Sequence, residues 1–196
     1  MVKMRKVVAV IGDAIIEPNG EKYKLAFEAG KALVDNGYRV QSGGLKGIME
    51  AAFHGARSSE KYREGDTIAI VPSFDKSWAN KYADIVLPTG LDVYRNVIVA
   101  NADAIVAIGG GSGTLSEIAL GWALQRLIIG YKNVEGWSGK LAGTRIDQRV
   151  RYKNIADDMV YPVTNAQEMI DILNSKIDLY TNFHRGIINV DANSKL

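Results

Sequence analysis

The sequence predicts a doubly wound α/β fold, in which helices cover both faces of a mostly parallel sheet of about seven strands. Two observations predict it. Short apolar runs rich in valine and isoleucine recur along the 196 residues, and segments with a helical spacing of apolar side chains separate them. Such apolar strands are typical of a parallel sheet covered on both faces, and their alternation with helices indicates βαβ units. We expect a single domain over residues 1–196.

The predicted strands are the apolar runs themselves, and all are short enough to be buried strands. They are residues 7–11, 38–40, 67–71, 85–87, 104–108, 127–129 and 159–163. Two segments between them fit the alternation poorly. Residues 72–82 form a polar loop with two aromatic side chains, and residues 133–158 form a loop of unusual length, which is typical of a functional or disordered segment.

Five helices are predicted from apolar residues three or four positions apart. They cover residues 21–36, 47–57, 91–101, 114–125 and 164–174. The apolar positions that define the first four are Leu25, Ala29 and Leu33, then Ile48, Ala51 and Ala52, then Val93, Val97 and Ala100, and finally Leu115, Ile118, Ala119 and Trp122. Gly37 suits the end of the first helix. Thr164 and Gln167 have capping-box spacing at the start of the last.

The composition excludes several classes of protein. The 24 basic and 22 acidic side chains leave a net charge of +2, so no overall field favours nucleic acid. Cysteine is absent, which excludes disulfides and thiolate metal sites. His54 and His184 have no partner at metal-ligand spacing, and we expect no metal site. No apolar run approaches the length of a membrane span, and we expect a cytoplasmic protein with no membrane contact.

The segment 140–153 is a local exception to this charge balance. It holds five basic side chains and one acidic one. A solvated loop and a flap that contacts a phosphate both account for this run, and the solvated loop is the favoured interpretation.

A glycine-rich turn lies between the predicted strand 104–108 and the helix that follows. It reads Gly-Gly-Gly-Ser-Gly-Thr over residues 109–114. Glycines let the backbone approach a phosphate closely, and the first free amides of a helix point at the anion. The hydroxyls of Ser112 and Thr114 add donors. A tight turn with Thr114 as an ordinary N-cap is the alternative, but four glycines in five positions favour a binding site.

Two further turns support this interpretation. Gly43 and Gly44 follow the second strand, and Gly12 ends the first. The carboxyl ends of parallel strands share one edge of a sheet, so we expect all three turns to face one cleft. The predicted ligand-binding residues are Gly12, Gly43, Gly44, Gly110, Gly111, Ser112, Gly113 and Thr114. A P-loop is disfavoured because no lysine follows the glycines. A dinucleotide fingerprint is disfavoured because the first strand is followed by a single glycine.

These residues resemble a known family. Residues 110–117 read G-G-S-G-T-L-S-E, similar to the G-G-x-G-T-x-x-E signature of the LONELY GUY-type and molybdenum-cofactor-carrier-like Rossmann proteins. Ser42–Gly44 with Gly47–Met49 resembles the second-strand turn of that family, and Tyr94–Asn96 resembles its arginine helix. The similarity runs from about residue 7 to residue 163. It implies a Rossmann-like fold and a homodimer or homotetramer, and we expect an exposed side of the Trp122 helix to contribute to the interface.

The resemblance implies three different activities. One branch of the family hydrolyses the N-glycosidic bond of nucleoside 5′-monophosphates, with a catalytic arginine and glutamate that match Arg95 and Glu117. A second branch binds and protects the molybdenum cofactor, a phosphorylated pterin. More distant relatives, the DNA-processing protein A group, bind single-stranded DNA. Some relatives are labelled lysine decarboxylases, but the chain has no recognisable pyridoxal-phosphate motif, and we do not expect that activity.

Three departures favour the carrier-like branch. Gly109 stands where the phosphoribohydrolases usually have proline, and Asn96 stands where they have lysine. The arginine of those enzymes also lies one residue further from the glycine turn. We therefore expect a protein that binds a phosphorylated nucleotide-like ligand, either a nucleoside monophosphate or the molybdenum cofactor, and that requires no other cofactor. Phosphoribohydrolase activity is the second hypothesis. Single-stranded DNA binding is the third, disfavoured by the balanced charge and the lack of interleaved aromatic residues.

Each of the two charged residues has a structural alternative to its functional role. Glu117 lies three residues after Thr114, a spacing at which its carboxylate caps the helix; in a cleft it would instead act as a general base or hold a ribose hydroxyl. Arg95 either forms a surface ion pair with Asp92 or another acid, or binds a phosphate through its planar guanidinium. The match to the family favours a ligand contact for Arg95.

Overall fold

A computed structural model describes residues 4–181 of the chain. Seven strands form one parallel sheet in the order β4-β3-β2-β1-β5-β6-β7. The strands are β1 (Val7–Gly12), β2 (Arg39–Ser42), β3 (Thr67–Val71), β4 (Ile85–Pro88), β5 (Ala104–Ile108), β6 (Leu127–Tyr131) and β7 (Val160–Val163). The predicted fold class is confirmed, and each strand lies within two residues of its predicted bounds.

The helices flank this sheet on both sides. They are α1 (Glu21–Asp35), α2 (Ile48–Arg57), α3 (Asn96–Ala100), α4 (Ser112–Ala123), α5 (Trp137–Leu141) and α6 (Ala166–Lys176), with single 3-10 turns at Lys76–Trp78 and Asp92–Arg95. Side chains of α1, α2 and α6 form one core cluster with the sheet, represented by Leu33, Phe53 and Leu173. Side chains of α3 and α4 form a second cluster on the opposite face, represented by Ala100 and Ile118.

Some boundaries differ from the predictions, each for a local reason. The predicted helix 91–101 is divided, because Asp92 has a positive φ of 48° and the first four residues form a 3-10 turn. The predicted loop 133–158 contains α5. The last helix is capped one residue later than predicted. Asn165 accepts a hydrogen bond from the Glu168 amide, and the Glu168 carboxylate accepts one from the Thr164 amide.

The expectation that Trp122 lies on an exposed helix side is wrong. Its side chain is only 1% exposed and packs in the second core cluster. The spacing from Ile118 to Trp122 places both on the sheet-facing side of α4. The outer face of the indole is covered by Arg151, whose guanidinium carbon lies 3.6 Å from the ring centroid.

The topology determines where a ligand can enter. The strand order reverses between β1 and β5, which are neighbours in the sheet. In open parallel sheets the crevice at such a switch point, outside the carboxyl ends of the strands, is the usual ligand site. Gly12 ends β1 and Gly109 follows β5. No helix within residues 4–181 is long and apolar enough to cross a bilayer.

Candidate functional site

A cavity of about 150 Å³ lies at the carboxyl ends of β1, β2 and β5. Its walls contain residues from all three glycine turns together with both charged residues singled out in the sequence. The lining residues are Ile11, Gly12, Ala14, Gly43, Leu45, Met49, Arg95, Asn96, Gly113, Thr114 and Glu117. The structure thus brings Gly12, Gly43, Gly113 and Thr114 to one place with Arg95 and Glu117. The other predicted ligand-binding residues, Gly44, Gly110, Gly111 and Ser112, do not line this cavity.

The glycine turn has a backbone that other residues rarely adopt. Gly109 and Gly110 have φ values of +67° and +98°. A Cβ atom on Gly110 would lie 2.2 Å from the Thr114 hydroxyl oxygen, so the turn also leaves no room for a side chain there. Both constraints together require glycine at position 110. Gly44 has a structural role instead, because it has a φ of +74° and packs against Ala69.

The amino-terminal turn of α4 presents free amides to the cavity side. Gly111 is the N-cap, and the first intrahelical bond runs from the Leu115 amide to the Gly111 carbonyl over 3.0 Å. The amides of residues 112–114 therefore precede the hydrogen-bonded helix. A Cβ atom on Gly113 would meet nothing within 4 Å, so this turn faces open space. Free amides at the first turn of a helix attract anions.

Arg95 is buried against the second glycine turn rather than paired at the surface. It is 8% exposed, and a Cβ atom on Gly43 would lie 2.4 Å from its Nη2. Its Nη1 donates hydrogen bonds to Glu117 Oε1 over 3.0 Å and to Asn96 Oδ1 over 2.7 Å. Its Nε has no hydrogen-bond partner among the described residues. The alternative, a surface ion pair with Asp92 or another acid, holds only in part: Arg95 pairs with an acid, Glu117, but the pair is buried.

Glu117 does not cap the helix. Because α4 begins at Ser112, Glu117 lies in the second turn and not in the capping position. The side chain is buried and faces Arg95. Burial raises the pKa of Glu117 from 4.5 to about 7, although the Arg95 charge and hydrogen bond pull it down. The site therefore holds a carboxyl group that changes its charge near neutral pH.

Comparison with known proteins places these residues in a family. The SLOG cluster4 family matches residues 5–170 of the chain. The chain belongs to this family. An uncharacterised protein of Archaeoglobus fulgidus is 39% identical over 114 residues, which cover 58% of this chain and 71% of that protein.

Two solved structures share the fold of this SLOG cluster4 protein. The molybdenum cofactor binding protein of the phototrophic bacterium Rippkaea orientalis has a TM-score of 0.72 at 27% identity, over 89% of this chain and 99% of that chain. The structural-genomics target TM1055 has a TM-score of 0.73 at 28% identity, over 87% of this chain and 99% of that chain. These similarities confirm the resemblance to molybdenum-cofactor-carrier-like proteins.

Asn96 connects the arginine of this SLOG cluster4 protein to the glycine turn. Its Nδ2 donates to Ser116 Oγ over 2.8 Å, and that hydroxyl donates to the Gly113 carbonyl over 2.7 Å. Arg95 is thereby held at a fixed position relative to the free amides of α4. A lysine at position 96 could donate to Ser116 but could not accept the hydrogen bond from Arg95.

The residues that support the glycine turn from behind were not predicted from the sequence. Ser138 Oγ accepts a hydrogen bond from the Gly109 amide over 2.7 Å, and the Ser138 amide donates to the Gly109 carbonyl over 3.0 Å. The Trp137 amide donates to the Gly110 carbonyl over 2.9 Å. Gly136, with a φ of +120°, packs directly on Gly109. In the sequence, Gly136 was the only indication of these contacts, and it did not show which residue it packs against.

Basic side chains of the segment 140–153 make contacts within the protein. The Arg151 guanidinium pairs with Asp158 and is 4% exposed, and Arg145 donates to the carbonyls of Asp158 and Arg149. These contacts are structural and do not favour a phosphate-binding flap. His54 is likewise a packing residue, because its ring stacks on Tyr82 at 4.4 Å. His184 lies outside the described residues.

Proposed function

We propose that this protein binds a phosphorylated, nucleotide-like small molecule, with the phosphate on the first turn of α4. The observation that carries the proposal is that Gly113 and Thr114, whose amides are free, line the same cavity as the buried guanidinium of Arg95. The partial positive charge of a helix N-terminus and a guanidinium both favour an anion. Gly113 supports the proposal because it leaves the approach to these amides open.

The electrostatics of the Arg95–Glu117 pair suit an anionic ligand. A carboxyl group whose pKa is about 7 is partly protonated at neutral pH. When Glu117 is protonated, Arg95 is a buried cation without a counter-charge in the pair, and its Nε has no protein partner. An uncompensated buried charge is costly. A phosphate that pairs with Arg95 would provide the counter-charge that protonated Glu117 lacks.

The cavity favours a ligand with a ring next to its phosphate. Leu45 and Met49 form an apolar part of the wall, and Asn96 and Glu117 supply polar atoms to it. A volume of about 150 Å³ accommodates a phosphate and part of one ring, so the rest of the ligand extends out of the cavity. The molybdenum cofactor, as carried cargo, and a nucleoside monophosphate both have this form. The Rippkaea orientalis relative, whose name states molybdenum cofactor binding, supports the first.

Binding can be tested with Arg95→Gln and a matched control, Arg149→Gln, whose side chain is 68% exposed. We expect Arg95→Gln to weaken binding of AMP or of a phosphorylated pterin at least about tenfold, because a charge-assisted hydrogen bond is lost. The control keeps the wild-type affinity. Isothermal titration calorimetry measures both. Equal affinity of wild-type protein for adenosine and AMP would contradict the proposal, as would an unchanged affinity in Arg95→Gln.

Phosphoribohydrolase activity is a second candidate because Glu117 has the pKa of a general base near neutral pH. In that reaction the Glu117 carboxylate removes a proton from water, the water oxygen bonds to C1′, and the C1′–N bond breaks as its electron pair leaves with the nucleobase. The proton held by Glu117 then passes to the nucleobase, which regenerates the carboxylate. The products from AMP are adenine and ribose 5-phosphate. Chromatography of an AMP incubation decides between the candidates. Adenine release that Glu117→Gln abolishes supports the enzyme, and recovery of intact AMP supports the carrier.

A further inference from the structure

A second ion pair, between Asp13 and Lys22, lies at the rim of the cavity. Asp13 follows Gly12 and precedes Ala14, and both of these neighbours line the cavity. Lys22 is the second residue of α1, and its Nζ donates to Asp13 Oδ2 over 2.6 Å. The Lys22 and Asp13 side chains are 29% and 26% exposed. The pair therefore joins the start of α1 to the carboxyl end of β1 and stays accessible to a ligand.

The pair lies directly against Gly109, the first glycine of the turn. A Cβ atom on Gly109 would lie 2.3 Å from Asp13 Oδ2 and 2.9 Å from Lys22 Nζ. Any other residue at position 109 would displace the pair, and the φ of +67° adds to the requirement for glycine. A proline, which the phosphoribohydrolases usually have at this position, fixes φ at about −65° and cannot adopt this conformation. The contact between the pair and the turn thus depends on a residue that distinguishes this chain from those enzymes.

The Lys22 ammonium has three N–H donors, and the protein uses one of them. Within residues 4–181, its only hydrogen-bond acceptor is the Asp13 carboxylate. The Gly111 amide donates to no acceptor in that part of the chain, and a Cβ atom on Gly111 would meet nothing within 4 Å. Chain geometry places Lys22 Nζ no more than ~12 Å from Thr114 Oγ1. Donors without a protein acceptor therefore extend from the first turn of α4 along the glycine turn to Lys22.

We propose that Lys22 binds a second anionic group of the ligand, while the first turn of α4 binds its phosphate. The inference rests on the proposed function and narrows the class of ligand to phosphorylated molecules with a second oxyanion. Arg95 and Lys22 are arranged alike, because each is held by a carboxylate and lies against a glycine. A lysine ammonium is a compact point charge with rotatable donors, so it suits a phosphate or another oxyanion. The Asp13 carboxylate fixes Lys22 in place and leaves its other donors for the ligand.

The test compares AMP, which has one phosphate, with adenosine 3′,5′-bisphosphate, which has two. Wild-type protein should bind the bisphosphate at least about tenfold more tightly, because Lys22 gains a charge-assisted hydrogen bond. Lys22→Gln should lose most of this preference. Its affinity for AMP should stay close to that of the wild type at physiological salt, where separated surface charges are largely screened. Isothermal titration calorimetry measures these affinities.

Two further variants control for the charge and for its position. Lys22→Arg keeps the positive charge and should retain most of the preference for the bisphosphate. Lys24→Gln removes a charge from an exposed position of the same helix and should behave as the wild type. Glutamine at position 22 can still donate to Asp13, so Lys22→Gln should keep the wild-type circular dichroism spectrum.

The outcomes separate this inference from the proposed function. Wild-type protein that binds AMP, and binds the bisphosphate no more tightly, would overturn the inference and leave the proposed function intact. A preference for the bisphosphate that Lys22→Gln retains would overturn it as well, because the ion pair would then only fasten α1 to the sheet. Wild-type protein that binds neither nucleotide would count against the proposed function and this inference together.

Discussion

Glu117 is a residue whose environment makes its protonation part of the stability of the fold. Its carboxyl group is buried beside Arg95, and burial raises the pKa from 4.5 to about 7. The folded protein therefore holds a proton that the unfolded chain releases between these two pH values. The stabilisation that this proton provides is complete below pH 4.5 and is lost as the pH rises through about 7.

This dependence can be measured against Glu117→Gln, which cannot ionise. Between pH 4.5 and a pH above 7, the free energy of unfolding of the wild type should fall by about 3 kcal/mol relative to that variant, since one pKa unit corresponds to ~1.4 kcal/mol. Urea titrations at a series of pH values give the two curves. Glu60→Gln, at an exposed position, controls for the loss of one surface charge. Parallel curves for the wild type and Glu117→Gln would contradict the assignment.

At the scale of residues, the sequence predicted which residues meet in the candidate site better than it predicted the contacts between them. The glycine turn and the match to a family signature indicated Arg95 and Glu117. Neither showed that the two side chains bond to each other, because they lie 22 residues apart on different elements. The capping interpretation of Glu117 failed because the helix starts two residues before Thr114, and helix starts are set by local backbone geometry that composition describes poorly.

At the scale of elements, the amino-terminal turn of α4 contains a glycine, a weak helix former, at a position where no protein atom would contact a side chain. Gly113 is within the helix, where glycine costs roughly 0.5–1 kcal/mol relative to alanine. A Cβ atom at this position would meet no protein atom within 4 Å. The residue is therefore unfavourable for the helix and unexplained by packing. The proposed phosphate site next to the backbone would account for a glycine here.

Gly113→Ala should consequently change stability and binding in opposite directions. We expect the free energy of unfolding to rise by about 0.5–1 kcal/mol, because alanine is the better helix former. The affinity for AMP or a phosphorylated pterin should fall severalfold, because the new methyl group occupies the approach to the amides. Ser175→Ala, at an exposed position of α6, serves as the control for helix propensity. A variant that gains stability and keeps full affinity would show that the ligand does not approach Gly113.

The elements themselves were predictable because they carry strong periodic signals. The buried strands are short apolar runs, and the long helices α1 and α2 repeat apolar residues at helical spacing. The short elements escaped prediction. α5 has five residues, too few to show a period, and its fold depends on hydrogen bonds from Trp137 and Ser138 to the distant glycine turn. Such contacts between separate parts of the chain leave no local trace in the sequence.

At the scale of the whole molecule, the topology explains why one cleft could be predicted at all. Parallel strands end at one edge, so three glycine turns scattered along the chain had to meet there. The same reasoning could not place Trp122. Its helix was predicted correctly, but its exposure depends on the loop before β7, which folds back over α4 and covers the indole through Arg151. The charge pattern of the segment 140–153 predicted a solvated loop and did not indicate that Arg151 covers Trp122.

Arg151 and Asp158 form the ion pair that ties this loop to the rest of the protein. The Arg151 Nε and Nη2 atoms donate to the Asp158 carboxylate over 2.9 and 2.5 Å, and the two side chains are 4% and 2% exposed. The Tyr180 hydroxyl donates to the same carboxylate over 2.7 Å. The pair therefore joins the loop, the indole of Trp122 and the segment after α6. An exposed pair, Arg149 with Asp147, lies in the same loop.

The two pairs should differ strongly in their contribution to stability. Asp158→Ala leaves a buried guanidinium without its counter-charge, and we expect a loss of about 3–5 kcal/mol. For a chain of this length this lowers the Tm by roughly 10 °C. Arg149→Ala removes an exposed partner that solvent screens, and it should leave the stability close to that of the wild type. Differential scanning calorimetry separates these outcomes. Equal costs for the two variants would mean that the loop is held by its apolar contacts, with Arg151 acting through its stacking on Trp122 rather than through its charge.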